Sequence, residues 1–170
     1  MAAMSASSHD PLLHYFAGEK AGAAVCLALG IGAVLFAFWV WRSHAAFRAM
    51  AIPVGLIGLA QLALGAGLWV RTDPQVASLQ AGLRDQPLSA RQSELARMER
   101  VNANFRAIEA VEAALILASL VLALAFRGKP TLTAVAMGLL LQASVMLTFD
   151  LFAEHRAHVY TDWLRGPAPG

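Results

Sequence analysis

With 170 residues, 58% of them hydrophobic and only 14% charged, the chain is too apolar for a soluble domain of its size. A mean hydropathy of +0.58 points to an integral membrane protein, and a formal charge of +2 without a basic, aromatic-rich surface excludes a nucleic-acid-binding role. The single cysteine, Cys26, excludes an internal disulfide, a CxxC redox pair and a cysteine-rich zinc site.

The N-terminal stretch MAAMSASSHDPLLHYFAGEK has no basic region, and no small-residue cleavage site closes the apolar run after it, so it does not read as a cleavable signal peptide. Asp10 followed by Pro11 has the form of a helix N-cap with proline at the first helical position. Helix 1 therefore starts about ten residues before the membrane. Crossing a bilayer core of roughly 30 Å takes about 20 apolar residues. Four segments qualify, at about 21–41, 51–70, 107–126 and 132–150.

Between the second and third spans, amphipathic loop helices are expected over about 74–106. Thr72-Asp73-Pro74 opens a short one carrying Val76, Leu79 and Leu83, and Asp85-Gln86-Pro87 ends it. Ser89-Ala90-Arg91-Gln92 then has the capping-box form, and no glycine or proline follows before Phe126, so helix 3 is expected to begin well outside the bilayer. Leu95, Met98, Val101, Phe105, Ile108, Val111 and Leu115 keep one apolar stripe running from water into lipid. Helix 4 is expected to continue past the membrane to Arg165, where Gly166 and Pro167 stop it. The expected fold is all-α: an integral membrane four-helix bundle forming a single domain over 1–170, with helices 1, 3 and 4 extended beyond the bilayer on one side.

Four spans put both termini and the long loop on one face, and that face holds all 11 acids. Arg42, Arg48, Arg127 and Lys129 are the charges of the other face. Counting only Lys and Arg favours cytoplasmic termini, whereas net charge favours the reverse, so both orientations stay open. Gly18, Gly22, Cys26 and Gly30 on helix 1, with a neighbouring row of Ala28 and Gly32, and Gly55, Gly58, Gly65 and Gly67 on helix 2 suggest close helix contacts. Gln61 and Gln142 suggest a hydrogen bond between spans.

The candidate polar site lies at the acid-bearing edge. Measured back from Arg127, the apolar run of helix 3 has about 14 residues, roughly 21 Å, too short to span. Glu112, and with it Glu109, is thereby drawn below the surface. A charged carboxylate in such a place costs about 2.5 kcal/mol or more and calls for a partner or a proton. On helix 4, Asp150, Glu154 and His158 are spaced by four and form one stripe, while Phe149, Phe152, Tyr160 and Trp163 on the other face suit an aromatic belt toward lipid. His14 and Glu19 of helix 1 come near the same level. Three readings fit Glu109, Glu112, Asp150, Glu154 and His158: a structural salt-bridge and hydrogen-bond cluster with Lys20, Arg71, Arg106 and Arg156, a proton-, cation- or ligand-binding site, or a metal centre. Bundles do build dinuclear metal sites, but the Glu-x-x-His motifs of that design are missing. Haem needs two facing histidines within the membrane, and none of the 5 lies inside a span. No phosphate loop, GxSxG or HExxH is present, so no catalytic residue, metal or cofactor is assigned.

The segments MAIPVGLIGLAQLALGAGLWVRTDPQVASL, ERVNANFRAIEAVE and DLFAEHRAHVY together resemble a group of small four-span bacterial membrane proteins without an assigned function. The resemblance implies a bacterial inner membrane and supplies no activity. The expected role is that of a membrane interaction or accessory protein. The alternatives are a small proton- or cation-linked transporter or ligand-binding protein and, third, a membrane-embedded metalloenzyme. Expected partners are the lipid bilayer and either further copies of the chain or another membrane protein.

Overall fold

The computed structural model describes residues 11–43 and 45–166. Four helices dominate: α1, Pro11–Ser43; α2, Ala51–Asp85; α3, Pro87–Ala125; and α4, Pro130–Arg165; a short 3-10 helix at Ala45–Met50 joins the first two. Each is long and apolar enough to cross a membrane, and no strand occurs among the described residues. The fold is thus an all-α four-helix bundle of multi-pass membrane character.

Proline sets three of the helix starts. Pro11, Pro87 and Pro130 open α1, α3 and α4, where the absent N–H has no intrahelical partner to lose. Asp10, the expected cap, lies outside the described residues. At the far end of α4, Gly166 N–H bonds back to the carbonyls of Asp162 and Trp163 at 3.1 and 3.2 Å. Arg91 of α3 completes that terminus, donating to the carbonyl oxygens of Leu164, Trp163 and Gly166 at 2.9, 3.0 and 2.6 Å. A cation is well placed there, where unpaired carbonyls carry the negative end of the helix dipole.

Two expected boundaries move. The separate helix opening at Thr72-Asp73-Pro74 is not separate: α2 runs through Pro74 to Asp85, so all four helices are long. Pro74 cannot donate to the carbonyl four residues back, a local loss. Side chains hold the turn instead. The Thr72 hydroxyl donates to Leu68 O at 2.7 Å, and α1 clamps both flanks through Arg71 to Glu19 at 3.1 Å and Lys20 to Asp73 at 2.8 Å. Helix α3 begins at Pro87 rather than Ser89, whose hydroxyl sits in the first turn and donates to Gln86 O at 3.2 Å.

Packing differs along the bundle. Helices α1 and α2 meet backbone to backbone. A β-carbon on Gly30 would lie 2.9 Å from both Gly58 O and Leu62 N, and one on Gly65 would lie 3.0 Å from Ala23 O and Leu27 N. Only glycine allows that approach. Gly32 and Gly67 face open space, while Gly18 and Gly22 make room for Arg156 of α4. Between α2 and α4, the Gln61 amide donates to Gln142 Oε1 at 3.4 Å and to Met146 Sδ at 3.0 Å, the expected bond between spans. Helix α3 packs mainly on α4 and stands diagonally from α1. Only 11% of its most apolar stretch is buried within the protein, against 28% for α1 and α4.

At the end where the chain begins and ends, all four helices close over one core. Leu12, Tyr15 and Phe16 of α1, Met98 of α3, and Ala157, Tyr160 and Leu164 of α4 are buried together, with Val76, Leu79 and Leu83 of α2 against them. The stripe Leu95, Met98, Val101 and Phe105 is covered here. The ring of Tyr15 stacks on Tyr160 at 4.5 Å, and Tyr160 on Trp163 at 5.8 Å. This corrects the aromatic belt: Tyr160 is 1% exposed and Phe149 reaches Gly22, because the first turns of α1 occupy that face, and of the four only Phe152 is exposed.

The stack has a pH consequence. Burial, with Glu19 adding, pushes the Tyr15 phenol up to about 12, and burial raises Tyr160 as well. A phenol raised in the folded state contributes stability that is complete below its unfolded value near pH 10 and is lost as pH climbs through about 12. The chain has only 2 tyrosines. Tyrosinate absorbance should therefore appear together with loss of helicity in one alkaline transition, and Tyr15→Phe should move that transition to higher pH. Absorbance rising well before helicity falls would contradict the buried stack.

Candidate functional site

The five candidate residues share one seam between α3 and α4. On α3, Glu109 and Glu112 are three apart and project from one face; on α4, Asp150, Glu154 and His158 follow at intervals of four. Antiparallel packing sets them in two layers. In the inner layer the carboxyl groups of Glu112 and Asp150 face each other within hydrogen-bonding reach, 7% and 8% exposed. One turn outward, Glu109 meets Glu154 in the same manner, and His158 Nε2 lies 3.3 Å from Glu154 Oε1.

The seam is short of positive charge. Among the described residues no lysine or arginine forms an ion pair with Glu109, Glu112, Asp150 or Glu154. The cations that a salt-bridge network would have used are elsewhere: Lys20 on Asp73, Arg71 on Glu19, Arg156 along Gly18 and Gly22, and Arg106 at the surface. Among the described residues, then, Lys20, Arg71, Arg106 and Arg156 form no ion pair with the four acids, and the one ion pair within the set is that of His158 with Glu154 at 3.3 Å. Glu112 Oε2 and Glu109 Oε1 are buried without a partner. Nor do the five residues form one chelate: among the described residues no three His, Cys, Asp or Glu side chains gather as a metal site requires. The arrangement is two facing pairs stacked along a helix seam.

Cys26 is structural in this setting. Its thiol donates to Gln61 O at 3.3 Å on the α1–α2 contact.

A second polar group, in the core at the chain ends, was not among the expected site residues. Arg97 grips Glu94 with Nε to Oε2 at 2.8 Å and Nη2 to Oε1 at 2.7 Å, and Glu94 is 6% exposed. With the Gln75 amide turned to satisfy both its ends, its oxygen accepts from Arg97 Nη1 at 3.1 Å. Asn102 donates to Thr161 Oγ1 at 2.9 Å and Thr161 to Ala157 O at 2.7 Å. The usable signal was the spacing Glu94, Met98, Asn102, a stripe of period four whose burial links α3 to α4. This group locks helices together, with its members paired mostly to one another. No family model, curated protein or solved structure matches the chain.

Proposed function

We propose that the chain is a membrane interaction or accessory protein without chemistry of its own, and that protons or a cation taken up at the α3–α4 seam govern how firmly α3 is held. The supporting observation is the Glu112 and Asp150 pair: two carboxyl groups face each other, nine-tenths buried, with no basic side chain to offset them. Two charges so placed repel strongly in a poorly solvated site, and a shared proton or a bound cation relieves the repulsion. Helix α3 rests mainly on α4 and already exposes Val111, Leu117 and Val121, so a weaker seam frees this exposed face to shift against lipid or against another membrane protein. A bacterial inner membrane is the proposed location, on the resemblance given above.

The expected result is a seam that strengthens with acid. In detergent, the melting temperature of the parent should fall as pH rises from about 5 to about 8, and divalent cations should restore part of the loss. Glu112→Gln and Asp150→Asn each remove one of the facing charges while keeping shape. Each should flatten the profile and gain roughly 1–2 kcal/mol at the alkaline end, part of the insertion cost of an acid. Identical profiles for the parent and both variants would exclude a proton- or cation-linked seam.

A further inference from the structure

The opposite side of α4 carries a different kind of opening. A crevice of about 430 Å³ between α1 and α4 is walled in part by Pro11, His14, Tyr15, His155, Arg156 and Val159, and among the described residues no acid lines it. Arg156 is the unusual member. Its side chain lies along α1, where a β-carbon on Gly18 would come within 2.9 Å of Cδ and one on Gly22 within 3.3 Å of Nη2. Two glycines thus leave the space that this guanidinium fills. Arg156 is half-buried, yet among the described residues it has no ion pair and no side-chain hydrogen bond. Glu19, next to Gly18, gives one oxygen to Arg71, and Glu154, two residues before Arg156, faces the carboxyl seam. A guanidinium has five N–H donors, and burying it without an acceptor is costly.

The surroundings narrow the chemistry of the missing acceptor. Arginine and two imidazoles, with no acid among the described lining residues, suit an anion, and the planar guanidinium suits two oxygens of a phosphate. The crevice lies a few residues before the apolar run of α1 begins; Val159, which lines it, is 57% exposed, and Leu13 and Phe152, each within three residues of a lining residue in the chain, are 42% and 67% exposed. A cationic hollow with exposed apolar groups nearby on both helices matches a phosphate whose ester chains lie in a bilayer.

We propose that this crevice binds a phosphate group, carried by an anionic membrane phospholipid or supplied as free phosphate. The site is independent of the carboxyl seam and stands whether or not that seam takes up protons. The test follows thermal unfolding of the full chain in detergent with three additives: short-chain phosphatidylglycerol, short-chain phosphatidylcholine and inorganic phosphate. A ligand of the native state raises the melting temperature with its concentration. Phosphatidylglycerol should stabilise the parent, and Arg156→Gln should weaken its apparent affinity about tenfold or more, the loss of one charge-assisted contact. His155→Ala, an exposed position outside the core, should weaken it in the same direction and keeps the test open if Arg156→Gln does not fold. Stabilisation by phosphatidylglycerol beyond that by inorganic phosphate assigns the lipid; equal stabilisation that both variants reduce assigns free phosphate. The proposal is overturned if neither anion stabilises the parent, if phosphatidylcholine does as well as phosphatidylglycerol, or if both variants respond as the parent does.

Discussion

Gly30→Val should cost at least about 3–5 kcal/mol, enough to unfold the bundle or to separate α1 from α2, whereas Gly32→Val should change stability by less than about 0.5 kcal/mol. The two glycines are two residues apart on the same helix, so propensity and hydropathy change equally in both. Only their surroundings differ. A β-carbon on Gly30 would press on Gly58 O and Leu62 N at 2.9 Å, both backbone atoms, while one on Gly32 would meet nothing within 4 Å. Backbone cannot swing aside as a side chain does, so the helices must part. Unfolding of both variants in detergent, followed by helicity, decides the matter. Equal stabilities would mean that α1 and α2 do not meet along this line.

Arg97→Met should be nearly as damaging. Glu94 is 6% exposed and takes two hydrogen bonds from Arg97, so the truncation strands a carboxylate in the core at the chain ends. Breaking a buried pair by removing one partner typically costs about 3–5 kcal/mol, whereas removing both is often near neutral. The double variant Glu94→Gln with Arg97→Met should therefore recover most of the loss. A double variant no better than Arg97→Met alone would show that Arg97 acts through its stacking over Phe16, at 5.8 Å, rather than through the charge of Glu94.

Local signals carried the sequence reading far. Apolar runs and the prolines at 11, 87 and 130 mark helices because each acts within a turn or two of its own position. The seam was legible for a related reason: acids four apart on one helix share a face whatever that helix touches, and the short apolar run of helix 3 singled out Glu112, which is 7% exposed. The failures all involve a neighbour in space. Pro74 reads as a break until Lys20 and Arg71 are seen holding its flanks to α1. Tyr160 and Trp163 read as lipid-facing until the first turns of α1 cover them. Glu94 and Arg97 look like ordinary solvated charges: the period-four stripe of Glu94, Met98 and Asn102 marks a shared face, but it does not announce that Tyr15 and Phe16, some 80 positions earlier, lie against them.

The uneven contacts of α3 also bear on the order in which the chain is made. Helices α1 and α2 are joined by a short connector that holds the six-residue 3-10 helix and fit along glycine, so they have a partner as soon as both are in the membrane. Helix α3 arrives next with almost nothing to bury its apolar half against. Until α4 follows, Glu112 has no Asp150 opposite and Arg91 has no helix end to cap. Before α4 is made, the third helix thus has only α2 for a neighbour and its acids uncovered, and the 36-residue α4 both closes the carboxyl seam and seals the core at the chain ends.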